Sequence, residues 1–214
     1  SYMMKAIKGI IASLALLLVF TGEAQAQDWW WGITYNMSAT SSLPANSDSD
    51  TNFIEDYSFR GLGIEARYVP SRDAGYSFGF NVGWNVLNEK NDFGTERNTI
   101  SLPEADITGT QLRYFNTVPL LANASYYFGD RGGIRPYVGV NAGTYYIERR
   151  VDIGVSAVVD DAWHFGWAPE VGLVVPLGRP EVALLTTIRY NWAFSAGGSG
   201  DQKFWGFNIG IAYR

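Results

Sequence analysis

The chain has 214 residues, enough for one domain or one barrel. Hydrophobic residues make up 47% of it and charged residues only 17%, yet mean hydropathy is −0.07; this argues against a bundle of membrane helices and suits strands in which every second residue is polar. The absence of cysteine excludes disulfides, thiolate metal sites and a lipid-modified cysteine, and a net charge of −5 without a basic patch gives nucleic acid no footing.

The first segment reads as an address. Met4-Lys5-Ala6-Ile7-Lys8 is a short positive region, Gly9 to Phe20 is an apolar run, and Thr21 to Ala26 ends in an Ala-x-Ala site. This is the three-part pattern of a secretory signal, with cleavage expected after Ala26. The apolar run is short of the roughly 20 residues a membrane helix needs. Ser1 and Tyr2, ahead of the methionines, are set aside. The expected organisation is a signal peptide over 1–26 and a barrel domain over 27–214, with no room in the chain for a wall-binding periplasmic domain.

Period-two alternation then recurs to the end of the chain. Trp29, Trp31, Ile33, Tyr35 and Met37 alternate with Thr34, Asn36 and Ser38. Leu62, Ile64, Ala66 and Tyr68 alternate with Gly63, Glu65 and Arg67. Even positions are apolar from Tyr76 to Val86, and again from Val118 to Phe128. Val138, Val140, Ala142 and Tyr146 lie opposite Gly139, Asn141 and Gly143. Phe165, Trp167, Val171, Leu173 and Val175 lie opposite Gly166, Ala168, Glu170 and Gly172. Val182, Leu184, Ile188, Tyr190 and Trp192 lie opposite Ala183, Thr187, Arg189 and Asn191. From Trp205 to Tyr213 the odd positions are large and apolar, and the even ones are Gly, Asn, Gly and Ala.

These segments predict eight strands. Tight turns fit Pro70–Asp73, Gly129–Gly133 and Leu177–Pro180, with longer polar links at Thr40–Phe53, Asn88–Ala105, Glu148–Trp163 and Ser195–Gln202. Alternating short and long links is the habit of membrane barrels. The expected fold is all-β: an eight-stranded antiparallel up-and-down transmembrane barrel. One face of each strand carries Trp, Tyr, Phe, Val and Ile, and the other is mostly Gly, Ala, Ser and Asn, as a narrow packed lumen requires. A soluble barrel or a sandwich would need a covered apolar face. Rings also sit near the strand ends, where amphipathic aromatics prefer headgroup level: Trp29, Trp31, Tyr68, Tyr126 and Tyr213 toward one end, and Trp167, Trp192 and Trp205 toward the other.

The strand from Asn116-Thr117-Val118-Pro119-Leu120-Leu121 to Tyr126-Tyr127-Phe128, the opening Arg135-Pro136-Tyr137-Val138-Gly139 and the terminal strand Gly206 to Tyr213 resemble the outer-membrane protein β-barrel family, the OmpA/OmpX-like eight-stranded barrels. The resemblance covers Trp29 to Arg214. It implies the bacterial outer membrane, contact with outer-membrane lipids, and a terminal strand read by the barrel-assembly machinery during insertion. The family usually ends on an aromatic residue; here Arg214 follows Tyr213. Its members have structural and adhesive roles, and some pass small solutes.

By the same parity Glu65, Arg67, Arg113, Glu170 and Arg189 face the lumen. Charges in a narrow bore must pair or be hydrated, so these five are expected to form a polar network closing it. Catalysis has little to stand on. The single histidine, His164, follows Asp160 and Asp161, but no His-x-Ser pattern accompanies it, and it reads as a solvated loop residue. Asp48, Asp50, Glu55 and Asp56 lack the ligand series of a calcium loop. No cofactor, metal or catalytic residue is expected. The expected function is a structural or surface-interaction barrel that meets an extracellular ligand through its long loops. The alternatives are a narrow channel for small solutes and a soluble periplasmic binding barrel.

Overall fold

The computed structural model of the chain describes residues 28–44, 52–70, 75–91, 99–102, 105–108, 111–130, 132–153, 156–179 and 181–214. The segment expected to be a signal peptide lies outside them. The described residues form eleven strands: β1 Asp28–Ser42, β2 Tyr57–Ser58, β3 Arg60–Val69, β4 Tyr76–Asn91, β5 Thr99–Leu102, β6 Ala105–Thr108, β7 Gln111–Tyr127, β8 Arg135–Ile153, β9 Ser156–Pro176, β10 Val182–Ala193 and β11 Gln202–Tyr213.

Eight of them close into a ring. The order β1-β3-β4-β7-β8-β9-β10-β11 is antiparallel throughout, and β11 returns to pair with β1 from Trp31↔Tyr213 to Ser42↔Lys203, with one irregularity between Thr40 and Ser42. β2 continues the line of β3 along β1, and β5 and β6 form a separate hairpin. Closure removes the sheet edges, which is what lets strands stand in lipid. Short turns join the strands at the end that holds Val69, Tyr127 and Pro176. Gly129 and Gly178 adopt positive φ there (81° and 73°), a conformation glycine enters without steric cost. Of the Pro70–Asp73 turn, residues 71–73 lie outside the described residues.

Alternation sorts the side chains as the pattern predicts. Ile33, Leu62, Phe165 and Tyr213 are 69%, 57%, 60% and 61% exposed, members of a band of large apolar residues around the outside that no soluble monomer would leave bare. Ala66 belongs to this face by parity but is buried. It lies in register between Trp31 and Phe80, whose ring centroids are 6.3 Å apart and roof it over.

The upper limit of the band is legible in the register. Val118, Tyr146 and Trp163 form one row across β7, β8 and β9; the next outward-facing row is Asn116, Glu148 and Asp161. Below it the outer face is apolar or uncharged from Tyr146 to Val138 on β8 and from Trp163 to Val175 on β9. At ~3.3 Å per residue and a tilt of ~40° these runs span ~20 and ~30 Å across the membrane, bracketing the ~25 Å of a barrel's apolar belt.

Three of the expected long links are corrected. Glu148–Trp163 is mostly strand, because β8 and β9 stay paired up to Ile153↔Ser156. In Asn88–Ala105, β4 runs on to Asn91 and β5 forms the first arm of the added hairpin. In Thr40–Phe53 the described ends enter the barrel mouth. Alternation marks only half-buried strands, so a strand pair rising into water with polar residues on both faces reads as a loop.

Candidate functional site in the barrel lumen

The lumen is filled in three layers. The lowest, at the short-turn end, is a cluster of Tyr127, Tyr137, Val174 and Leu185, with Trp30 and Ala183 against it. The Arg135 guanidinium lies 4.8 Å above the Tyr127 ring.

The middle layer is ionic. Glu170 on β9 and Arg189 on β10 are direct cross-strand partners, and Arg189 Nη2 and Nε donate to Glu170 Oε2 at 2.7 and 3.0 Å. Arg67 on β3 donates to Glu170 Oε1 at 3.3 Å and to Glu65 Oε2 at 3.2 Å. In a ring of eight, β3 and β9 are four places apart in either direction. The Arg67–Glu170 pair therefore spans the whole bore. A second diameter runs from β4 to β10, where Arg189 Nη1 donates to Asn81 Oδ1 at 3.1 Å.

Neutral groups complete the layer. Asn123 and Asn141 donate to Glu170 at 3.0 and 2.9 Å, and Arg67 also donates to the hydroxyls of Tyr127 (2.9 Å) and Tyr137 (3.1 Å). The Tyr137 and Thr187 hydroxyls are 2.5 Å apart. The Glu170 side chain is fully buried. Two carboxylates and two guanidiniums sum to zero, the condition under which buried charge is tolerable.

The upper layer is apolar, and only part of it comes from the barrel wall. Leu87, Phe115, Leu121, Tyr145, Ile147 and Phe204 line a cup that Leu43, Phe53 and Ile54 fill from the connection between β1 and β2. Wall side chains hold this strap by its carbonyl oxygens. Arg149 and Gln202 donate to Pro44 at 3.3 and 3.1 Å, and Arg113 donates to Phe53 at 3.1 Å.

Four of the five residues expected to form the network meet in the middle layer. Arg113 does not: it faces inward as parity requires, but one layer higher, against Phe53. The reading of His164 is corrected as well. It is 2% exposed, lies on β9 with its side chain inward, and its Nδ1 is 2.7 Å from the Phe194 carbonyl. Its parity with Gly166, Ala168 and Glu170 already places it on that face. The strap residues, Trp30, Tyr127 and the Asn81–Asn123–Asn141 set were not singled out. Parity marks Trp30, Tyr127 and the three asparagines as lumenal, whereas nothing periodic marks the strap.

The outward rings keep company near the strand ends, except Trp167, which lies midway along β9 because that strand runs on to Ser156. Trp29 contacts Tyr68 and Trp31 with centroids 5.4 and 6.1 Å away, and Tyr126 meets Phe128 at 5.1 Å. Trp167 meets Trp192 at 6.2 Å, and Tyr190 meets Trp205 at 4.7 Å. Trp192 Nε1 donates to Asp201 at 2.8 Å. Tyr213 closes the β1–β11 register opposite Trp31. Among the described residues no cluster of three or more metal-ligating side chains occurs.

A closed antiparallel sheet, apolar outside and filled inside, defines an integral membrane β-barrel. The family model of the outer membrane protein beta-barrel domain matches residues 12–214, and the chain belongs to that family; its place is the bacterial outer membrane. Among solved structures it is similar to neisserial surface protein A (17% identity, TM-score 0.52, covering 88% of this chain and 99% of that one). It is also similar to Ail, the attachment invasion locus protein of Yersinia pestis, in complex with the heparin analogue sucrose octasulfate (11% identity, TM-score 0.52, again 88% and 99%). At these identities the likeness is one of fold. No curated protein matches the chain. In this family short turns face the periplasm and long hairpins face outside.

Proposed function

We propose that this protein is a non-catalytic structural and surface-interaction barrel whose lumen passes no solute. The observation that carries the reading is the ionic layer, in which Arg67–Glu170 and Asn81–Arg189 cross the bore along two diameters. The apolar strap above and the aromatic cluster below add to the blockage. Glu65, Arg67, Glu170 and Arg189 close the bore, and Arg113 anchors the strap. The rings Trp29, Trp31, Tyr68, Tyr126 and Tyr213, and Trp167, Trp192 and Trp205, serve as two interface girdles. Residues 1–26 act as the export signal, and the Gly206–Tyr213 strand is what the assembly machinery reads.

An extracellular partner would meet the long hairpins. The anionic ligand in the Ail structure does not transfer readily. The segments 40–60, 88–114, 148–163 and 195–203 contain fourteen acidic and seven basic residues, which disfavours a sulfated polysaccharide at this end.

The test is conductance of the refolded mature chain in a planar bilayer. A silent bilayer, with the gel shift between boiled and unboiled samples that marks a folded barrel, supports the closed reading. Steady conductance in the wild type overturns it in favour of a narrow channel.

A further inference from the structure

The short-turn end of the bore holds a cavity of about 510 Å³. It is framed by the β7–β8 turn at Gly132 and Gly133, the β9–β10 turn at Gly178 and Arg179, and the ends of β1 and β11. An added Cβ at Gly132 or Gly178 would meet nothing within 4 Å, so the mouth is open. Its inner wall is the aromatic cluster, through Trp30 and Val174.

The charge around it is one-sided. Three guanidiniums line it, Arg135 from β8, Arg179 from the turn and Arg214 after β11, against the one carboxylate side chain of Glu181. The ionic layer is neutral within itself and offsets none of this charge. Arg135 is buried, its guanidinium held 4.8 Å from the Tyr127 ring, and a cation withdrawn from water attracts an anion more strongly than an exposed one. Guanidinium is the side-chain group best shaped to grip a phosphate or carboxylate through parallel hydrogen bonds.

A second observation is independent of charge. The indole Nε1 of Trp30 is buried and donates to no acceptor. Buried donors are rarely left in this state. An anionic oxygen in the cavity would complete it.

Size and height narrow the ligand. The volume falls within the roughly 300–1,000 Å³ of small-molecule sites, more than a bare ion fills, and Pro176, Val182 and Ala212 supply apolar wall. Tyr213 lines the cavity and is also an outward ring of the lower end, so the mouth opens where amphipathic aromatics meet headgroups. Phosphate is the anion of that layer.

We propose that the periplasmic mouth is a binding site for an organic phosphate, gripped by Arg135, Arg179 and Arg214 with the Trp30 indole N–H as a fourth donor. The phosphate belongs either to a phospholipid headgroup of the periplasmic leaflet or to a soluble phosphate ester. The site holds whether or not the bore above it conducts.

The test is a titration of the refolded mature chain in maltoside micelles and phosphate-free buffer. The readout is the Trp30 indole N–H resonance, assigned by its loss in Trp30→Phe. Short-chain phosphatidylglycerol and glycerol phosphate are the probes, and uncharged glycerol and octyl glucoside the controls. A saturable shift with both probes supports a site open to soluble esters; a shift with the lipid alone supports the leaflet as the source. Arg135→Gln/Arg179→Gln should bind at least about tenfold more weakly, the loss of ~1.5–3 kcal/mol expected for a hydrogen bond to a charged group. No saturable shift with either probe overturns the proposal. So does an equal shift with the uncharged controls, or unchanged affinity in the double variant. Should Arg135→Gln, which loses packing on Tyr127, fail to give the gel shift of a folded barrel, Arg179→Gln/Arg214→Gln, at the turn and chain end, decides in the same way.

Discussion

Glu170 and Arg189 face each other across a single rung between β9 and β10, and a single carboxylate oxygen of Glu170 accepts from both Nε and Nη2 of the guanidinium. The other oxygen is turned across the bore to Arg67. One carboxylate thus neutralises cations from opposite walls, and Glu65 balances the remaining charge.

Glu170→Ala is expected to cost ~3–5 kcal/mol, because it leaves an uncompensated buried positive charge. The double variant Glu170→Leu/Arg189→Met removes one charge of each sign and keeps the Arg67–Glu65 pair. It should be less destabilised than the single. Urea unfolding of the two proteins from lipid vesicles checks the order; a double variant worse than Glu170→Ala would show that the layer acts through packing rather than charge.

Position relative to the polar row of Asn116, Glu148 and Asp161 sets the cost of an outward charge. Val140→Arg, in the lipid belt, is expected to lose ~2–4 kcal/mol, whereas Val159→Arg, above that row, should lose ~0–1 kcal/mol. Similar losses at the two sites, in the same vesicle unfolding assay, would put the membrane boundary elsewhere.

Truncating the strap should weaken the fold without opening the bore. Phe53→Ala and Ile54→Ala each remove a buried side chain from the apolar cup, at ~2–5 kcal/mol. The ionic layer beneath is untouched, so conductance in a planar bilayer should stay at background. Conductance appearing in these variants would assign the seal to the strap instead.

Gly172 lies where β9 meets Thr186 of β10 and the Tyr137 ring. An added Cβ would be 2.3 Å from the Thr186 carbonyl oxygen and 2.5 Å from the ring. Gly172→Ala is expected to cost ~1–3 kcal/mol by overpacking. The near-UV circular dichroism of the displaced tyrosine should change with it, and a neutral substitution would mean that the wall yields at this point.

Much of the barrel was legible because lipid imposes a hard rule on every second residue. Parity alone put Glu65, Arg67, Glu170 and Arg189 inside. Height was also available, though less directly, by counting from the short turns. Arg67 is near Val69, and Glu170 and Arg189 are part-way up their strands, while Arg113 lies far from Tyr127 and so belongs to a higher layer. The same count and parity take His164 out of the loop where its acidic neighbours suggested it lay. The strap was not legible. Leu43, Phe53 and Ile54 stand among Ser, Asn and Asp with no period, and only the shape of the cup explains why they turn inward. The rising hairpin of β8 and β9 was missed for the opposite reason: with water on both faces, paired strands need no alternation.

The diameter from Arg67 to Glu170 ties charge balance to assembly order. β3 and β9 stand on opposite sides of the β1–β11 seam, and in an open sheet they are too far apart to touch. Until that seam zips, each guanidinium keeps one carboxylate, Arg67 with Glu65 and Arg189 with Glu170, and Glu170 has only half its cations. Closing the last ladder and completing the ionic layer are therefore one event. A sheet that closed in another register would leave these two neutral pairs apart, so the link between Arg67 and Glu170 belongs to the closed ring alone.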